Sequence, residues 1–280
     1  MAPIFTGSKF GFGRSAEAAA AAVATADAMP ILVTNATGTT ATGGVNSDSF
    51  ASSLQFAIPG ATSSGLNLTD QNPTGRVSAL RNLTNGGSLT ADTSIYKYYG
   101  GSLSVPHSAT GTYSNDVWSS IGSGPYTVEM WLYLVDATMS PGYGYNVLCG
   151  RNAYDGIINI GLYWSGVTGS VPGAQMSIRP SSGSYVSHFI TDNGAEGAFP
   201  VAQWVHCAQT RDSSGTVRTF KNGIKVAQTT GITGSLSTNY PEFGGWTTGF
   251  GDPTAFKVSD IRVYNAAKYT GNSFTLFPLP

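Results

Sequence analysis

Three histidines and fifteen carboxylates carry most of the acid–base chemistry open to this 280-residue chain. Hydrolysis of a glycosidic bond needs two carboxyl groups flanking that bond, one acting as acid and the other as nucleophile or base. Glu129 lies in a strand-like run, but its neighbours two residues away are Thr127 and Trp131, so no acidic partner shares its face. His107, His188 and His206 lie in no Gly-x-Ser-x-Gly context, which a serine nucleophile on a strand-to-helix turn would need. His206, between Trp204 and Cys207, reads as a sheet-face histidine with a hydrogen-bond partner. His107 and His188 read as surface or sheet residues. No catalytic residue is assigned, and a non-enzyme is expected.

Calcium requires several oxygen ligands converging from loops. Asp116, Asp155, Asp192 and Asp252 sit in turn-like contexts, where a carboxylate more simply closes a turn onto its own backbone. With no Asp-rich run, no metal or cofactor is assigned and Ca²⁺ stays unsupported. Cys149 and Cys207 lack metal-site spacing and read as buried thiols, with a bridge between them left open. Asn35, Asn67 and Asn82 match a glycosylation triplet, a pattern that a Thr-rich chain produces by chance.

The remaining chemistry is aromatic. Tyr143 and Tyr145, Trp164, Tyr185, and Trp246 beside Gly244-Gly245 are candidate contacts for a glycan or a protein partner, since such rings combine apolar area with a polar tip. Their alternative role is to close the ends of a sandwich.

These residues must be positioned by short strands. Glycine is 36 of 280 residues and charged residues only 10%, against ~25% in an ordinary domain, while aromatics at 11% argue against disorder. Net charge is −1 and no Lys/Arg cluster exists, so nothing draws the chain to nucleic acid or to an anionic membrane. No apolar run approaches the ~18 residues of a membrane-crossing helix.

Residues 126–134 (YTVEMWLYL) give the strongest strand signal. Tyr126, Val128, Met130, Leu132 and Leu134 share one face, and Thr127, Glu129, Trp131 and Tyr133 the other. Both faces are substantial, which predicts a central strand covered on both sides. Leu54, Phe56 and Ile58 alternate before Pro59-Gly60. Further strands are expected at 147–149, 157–162, 174–178, 185–191, 204–211, 217–220 and 224–228. Asn222-Gly223 marks a tight hairpin, because both residues tolerate positive φ. In 255–264 the apolar parity slips between Val258 and Ile261, which predicts a β-bulge near Ser259-Asp260.

The first 49 residues differ in kind. Phe5, Phe10 and Phe12, with Lys9 and Arg14, form a segment too short for its own core; it must pack on the same domain or on a neighbouring chain. Residues 16–28 are an Ala-rich possible short helix ended by Pro30. Lys9 and Arg14 before this stretch imitate a secretion signal, but Glu17 opens the apolar part and alanine is weakly apolar, so an extended N-terminal arm is expected instead. A Thr/Gly/Ser linker follows.

In order, LQFAIPG (54–60), YYGGSLSVP (98–106), YTVEMWLY (126–133), QWVHCAQTRD (203–212), VRTFKNGIKVA (217–227), VSDIRVY (258–264) and KYTGNSFTLF (268–277) resemble the laminin-G-like, concanavalin-A-like jelly rolls of bacteriophage structural and bacterial surface proteins. The resemblance spans about residues 50–280, giving an arm at 1–49 and one jelly-roll domain at 50–280. It implies an all-β fold of two antiparallel sheets, and binding of glycans or proteins, often with Ca²⁺. Only some branches hydrolyse glycans, and the Glu-x-Asp-x-x-Glu strand of the glucanase branch is missing here. Trp131 and Trp204 match family motif positions and are read as core.

The closing segment looks most like the phage and marine-bacterial version, and MAPIFTGSKFGFGR looks like the leader of some phage structural proteins. The expectation is therefore a non-enzymatic bacteriophage virion protein on the particle surface, as head decoration or a short tail or fibre component. Phe5, Lys9, Phe10, Phe12 and Arg14 would anchor it to other virion proteins or to copies of itself, and the jelly roll would face outward, towards a host glycan. The alternative is a secreted or surface bacterial lectin, and a remote one a glycan hydrolase.

Overall fold

The computed structural model describes residues 50–58, 61–62, 80–82, 89–97, 100–105, 110–113, 121–135, 145–150, 157–164, 172–181, 185–192, 194, 197–236, 241–244 and 255–276. The N-terminal arm and its possible helix, His107, Asp116, Asp155, Asp252 and the Pro59-Gly60 turn lie outside the described residues.

The described strands are β1 (Leu54–Ile58), β2 (Ala61–Thr62), β3 (Leu80–Asn82), β4 (Thr90–Asp92), β5 (Gly100–Val105), β6 (Thr110–Tyr113), β7 (Tyr126–Leu134), β8 (Tyr145–Gly150), β9 (Ile157–Trp164), β10 (Pro172–Arg179), β11 (Val186–Phe189), β12 (Trp204–Arg211), β13 (Val217–Lys221), β14 (Ile224–Thr229), β15 (Pro241–Gly244) and β16 (Phe256–Tyr264). They form two sheets. The nine-stranded sheet runs β14-β13-β12-β7-β16-β5-β2, with β1 also on β16 and β4 on β5; the seven-stranded sheet runs β11-β10-β9-β8-β15-β6-β3. Neighbouring strands are antiparallel throughout, as in β7 with β12 and β16, or β10 with β9 and β11. The chain is an all-β jelly-roll sandwich.

Strand β7 is central, as its two-sided pattern requires. Val128, Met130 and Leu132 point between the sheets and meet Met176 and Ile178 of β10 and Val186 of β11 in one core cluster. Burying each such side chain is worth about 1.5–3 kcal/mol. The parity slip in β16 is real. Its register with β7 shifts between Ser259 and Arg262, and Asp260 takes φ 54. The bulge returns Ile261 and Val263 to the core alongside Phe256 and Val258. It also divides one edge of β16 between two partners: Phe256–Val258 pair with β5, and Ile261–Tyr264 with β1.

Two local expectations are corrected. Phe56 and Ile58 face the core, but the register of β1 shifts between Leu54 and Phe56, and Leu54 joins Ala57 and Tyr264 in a second cluster on the sheet's other side. Trp131 and Trp204 do not lie between the sheets. On β12, Val205 and Cys207 belong to the core, so Trp204 and His206 take the outer face, where they pair with Tyr133 and Trp131. Trp131 is buried there under Lys97, whose Nζ stands 4.0 Å from the ring centroid, whereas Trp204 is half-buried against Tyr133.

Candidate functional site

The outer face of the seven-stranded sheet carries the one sequence-nominated contact residue whose side chain is described. Tyr185 precedes β11 and is 54% exposed. Its hydroxyl is not free: it donates to Ser177 Oγ at 3.0 Å. Ser177 Oγ donates to Ser187 Oγ at 3.2 Å, and Ser187 Oγ donates to Gln175 Oε1. Strand alternation builds this ladder. Ser177 is opposed by Ser187 and Gln175 by Phe189, while Met176, Ile178 and Val186 between them face the core. The result is an exposed aromatic ring beside a hydroxyl-and-amide ladder in which Ser177 is buried and Gln175 and Ser187 are half-buried, with Arg179 the next β10 residue of the same parity on the Tyr185 side.

The two strands under this strip are tied to the opposite sheet by buried polar groups. Gln209 of β12 accepts from Tyr126 Oη at 2.7 Å and donates to the Met176 carbonyl and to Thr219 Oγ1, each at 3.2 Å. His188 of β11 meets Thr219 Oγ1 through Nδ1 and Thr229 Oγ1 through Nε2, both at 2.9 Å. Burial pushes its pKa down, so the neutral ring, one nitrogen donating and the other accepting, bridges β11 to β13 and β14. The histidine expected at a surface or sheet position is thus an internal cross-sheet strut.

The hairpin that carries Tyr185 is held from its other end. Ser181 donates through both N and Oγ to the Ser235 carbonyl. The 231–236 segment is fixed in turn by Arg211, a fully buried side chain with no carboxylate partner in its hydrogen-bond set. Its guanidinium donates to the carbonyls of Gly122 (2.9 Å), Gly124 (3.0 and 2.6 Å) and Gly234 (2.8 Å), and lies 5.3 Å from the Tyr126 ring.

With this geometry established, the comparisons place the chain. The laminin-G-type model of the concanavalin A-like lectin/glucanases superfamily matches residues 107–269, more than half of the chain. The chain belongs to this superfamily. No curated protein matches it in sequence. Among solved structures, the concanavalin A-like chain is similar to the botulinum neurotoxin serotype D binding domain (TM-score 0.56, 11% identity, covering 80% of this chain and 50% of that one). It is also similar to the serotype C1 binding domain (TM-score 0.54, 11%, 78% and 50%) and the type G receptor binding domain (TM-score 0.50, 12%, 76% and 47%). The chain spans about half the length of these neighbours, and at such identities the likeness is one of fold.

Among the described residues the acidic side chains do not form an open cleft. Each of the five described carboxylate side chains faces a cation: Asp92 Lys257, Glu129 Lys268, Asp192 Lys221, Asp212 Arg218 and Asp260 Arg262. Glu129 and Asp260 lie in one buried network on the outer face of the nine-stranded sheet, covered by residues 265–276. Lys268 Nζ reaches Glu129 Oε1 at 2.8 Å, Tyr269 Oη donates to Glu129 Oε2, and Phe274 packs on Tyr269 and His206. Burial pushes the Glu129 carboxyl up, but Lys268, His206 and Arg262 outweigh it and hold it at about 2. Burial pushes Asp260 up against the pull of Arg262. His206, held down at about 4 by burial, is neutral at pH 7 and stands 3.8 Å from Glu129. Its Nδ1 has no hydrogen-bond partner among the described residues, contrary to the expectation for a sheet-face histidine. This network locks the C-terminal segment onto the sheet.

Among the described residues no group of three or more His, Cys, Asp or Glu is placed to hold a metal. Asp192 is one of the turn carboxylates and pairs with Lys221 at 2.7 Å. Cys207 is a buried free thiol, raised by burial; nothing is described of the Cys149 side chain.

The other nominated residues are not gathered around Tyr185. Phe5, Lys9, Phe10, Phe12, Arg14, Tyr143 and Trp246 lie outside the described residues. Tyr145 opens β8 in the row of Leu162 and Ala174, and Ala174 belongs to the core. Trp164 pairs with Pro172, seven residues along β10 from Arg179 and so roughly 23 Å from the Tyr185 end of the sheet. Sequence reasoning missed Gln175, Ser177 and Ser187. Their signal was the alternation of polar with apolar residues in 174–178 and 185–189, which any solvated sheet face also shows.

Proposed function

We propose that this concanavalin A-like domain is a non-enzymatic binding module on the surface of a bacteriophage particle, with its Tyr185 face directed to a cell-surface glycan. One observation carries the binding site: an exposed aromatic ring whose hydroxyl is fixed in place beside a strip of amide and hydroxyl groups. A sugar ring stacks on such a face and satisfies its own hydroxyls on the strip, and the fixed geometry lowers the ordering cost of binding. Membership of a lectin/glucanase superfamily supports the carbohydrate reading. The neighbours named as toxin binding domains support the use of this fold for surface attachment. The pairing of every described carboxylate with a cation supports a binding rather than a hydrolytic role. In this reading the arm, through Phe5, Lys9, Phe10, Phe12 and Arg14, joins the domain to other virion proteins or to copies of itself.

Two measurements test the reading. A glycan array probed with the full chain, with and without Ca²⁺, should give hits that Tyr185→Ala removes; an array without hits sinks the glycan role. Deletion of residues 1–15 should abolish incorporation into particles, and unchanged incorporation sinks the anchoring role.

A further inference from the structure

The Tyr185 end of the sandwich carries positive charge that no described carboxylate answers. Ile178 pairs with Val186, so the next pair in the β10–β11 register sets Arg179 opposite Tyr185. Arg179 has the parity of Gln175 and Ser177, which share the outer-face ladder with Tyr185. A second cation stands behind them. The guanidinium of Arg211 is fully buried and bonds to the carbonyls of Gly122, Gly124 and Gly234, which carry no net charge to cancel its own. Three segments meet at this end, through Ser181 on Ser235 and Leu236 on Gly122. Their sequences, 121–125 (IGSGP), 180–186 (PSSGSYV) and 231–236 (GITGSL), contain no acidic residue. Asp212, next to Arg211 in the chain, is taken by Arg218 at 2.6 Å, and the other four described carboxylates face other cations.

We infer that this end of the domain takes an acidic saccharide, its ring stacked on Tyr185 and its carboxylate or sulfate held by Arg179; this rests on the glycan-binding reading above and names its ligand class. Directly opposed residues on neighbouring strands have Cβ atoms about 4.5–5.5 Å apart. An anionic group on a sugar that rests on the ring at 185 is then within one arginine length of position 179. A guanidinium offers such a group two parallel charge-assisted hydrogen bonds, each about twice as strong as a neutral one. Arg211 adds to the same potential from the interior, where charge is screened less than at an open surface. Ser177 is buried and serves to fix the Tyr185 hydroxyl, while Gln175 and Ser187, half-buried, remain for the sugar's own hydroxyls. The chain as a whole has a net charge of −1, so the attraction belongs to this end and not to the molecule at large.

The test uses the full chain and an array holding neutral hexose and N-acetylhexosamine glycans beside sialylated, uronic-acid and sulfated ones, with affinities of the hits measured by calorimetry. Hits on acidic glycans are expected, removed by Tyr185→Ala and weakened by added salt. The carboxylate and sulfate arms of the array tell which anionic group is read. Reducing the carboxyl group of a hit to the alcohol, or desulfating a sulfated one, should weaken binding about tenfold, a decade being 1.4 kcal/mol. Arg179→Gln should weaken the acidic ligand by the same factor and leave its reduced form unchanged, while thermal unfolding shows the fold retained. Arg179→Lys, which keeps the charge but not the fork, should restore part of the loss. Hits confined to neutral glycans and removed by Tyr185→Ala would overturn this inference and leave the glycan-binding reading standing. Acidic hits indifferent to Arg179→Gln would overturn it as well. An array with no hits of either class sinks the underlying reading and this one with it.

Discussion

Glu129 and Lys268 meet at 2.8 Å although they lie 139 positions apart, and both side chains are nearly inaccessible to solvent. A buried ion pair of this kind contributes little against a well-packed apolar pair, but removing one partner strands the other charge at a cost of about 3–5 kcal/mol. Lys268→Met should therefore lower the urea midpoint strongly without changing the slope of the transition. Glu129→Gln combined with Lys268→Met should recover most of the loss. If the single change costs less than the double one, the pair does not hold the C-terminal segment.

The histidine beside this pair makes stability depend on pH. Burial lowers His206 from 6.5 to about 4, so between those values the unfolded chain binds a proton that the folded chain does not. Stability is then fully present above pH 6.5 and falls as the pH drops towards 4, by roughly 3 kcal/mol at 1.36 kcal/mol per unit. Glu129, lowered from 4.5 to about 2, continues the loss below pH 4.5. Lys97 and Arg262, which oppose a positive imidazole, face the same group. His206→Phe keeps an aromatic ring between Trp131 and Phe274 and should flatten the pH 6.5–4 part of the curve in denaturant titrations, with His188 supplying the residual slope in the same direction. An unchanged curve would show that His206 is already charged in the folded protein.

The Asn222-Gly223 turn supports the same segment from the side. Gly223 has φ +80°, and a Cβ there would lie 2.4 Å from the carbonyl oxygen of Phe274, whose N–H donates to the Gly223 carbonyl at 2.8 Å. Gly223→Ala thus combines left-handed strain of about 1–2 kcal/mol with a backbone clash, and a loss of more than 2 kcal/mol is expected in chemical denaturation. Asn222→Gly, at φ 50, relieves strain but removes the acceptor for the His206 N–H at 2.9 Å, and should cost less than Gly223→Ala.

Much of this fold was legible in the sequence because period-2 patterning and turn chemistry are local. The two-faced run of 126–134, the Asn-Gly turn and the slipped parity around Asp260 each announced their geometry without reference to the rest of the chain. The burial of Glu129, Trp131 and His206 on an outer face was not legible. It depends on residues 265–276 folding back across the sheet, a long-range event with no local pattern. The Tyr185 site was half legible. An exposed aromatic residue could be nominated from its type, but the ladder of Gln175, Ser177 and Ser187 exists only through the β10–β11 register, which depends on the hairpin between them.

Arg211 links stability to that hairpin. A lysine has a compact ammonium instead of a planar five-donor fork and cannot reach the Gly122, Gly124 and Gly234 carbonyls together. The Gly122 carbonyl keeps the Leu236 N–H at 3.0 Å, so Arg211→Lys should leave at least one of the Gly124 and Gly234 carbonyls unpaired at about 1–3 kcal/mol, and so lower the thermal midpoint by several degrees. Because Gly234 precedes Ser235, and Ser235 anchors Ser181 at the end of β10, the same change should loosen the connection that carries Tyr185. Hydrogen exchange of the Ser181 and Ile190 amides, bonded to Ser235 and Ala174, should accelerate more than that of the Asp212 and Gly215 amides, which close their own turn. Equal acceleration at all four would mean that Arg211 supports the sandwich as a whole and not this end of it.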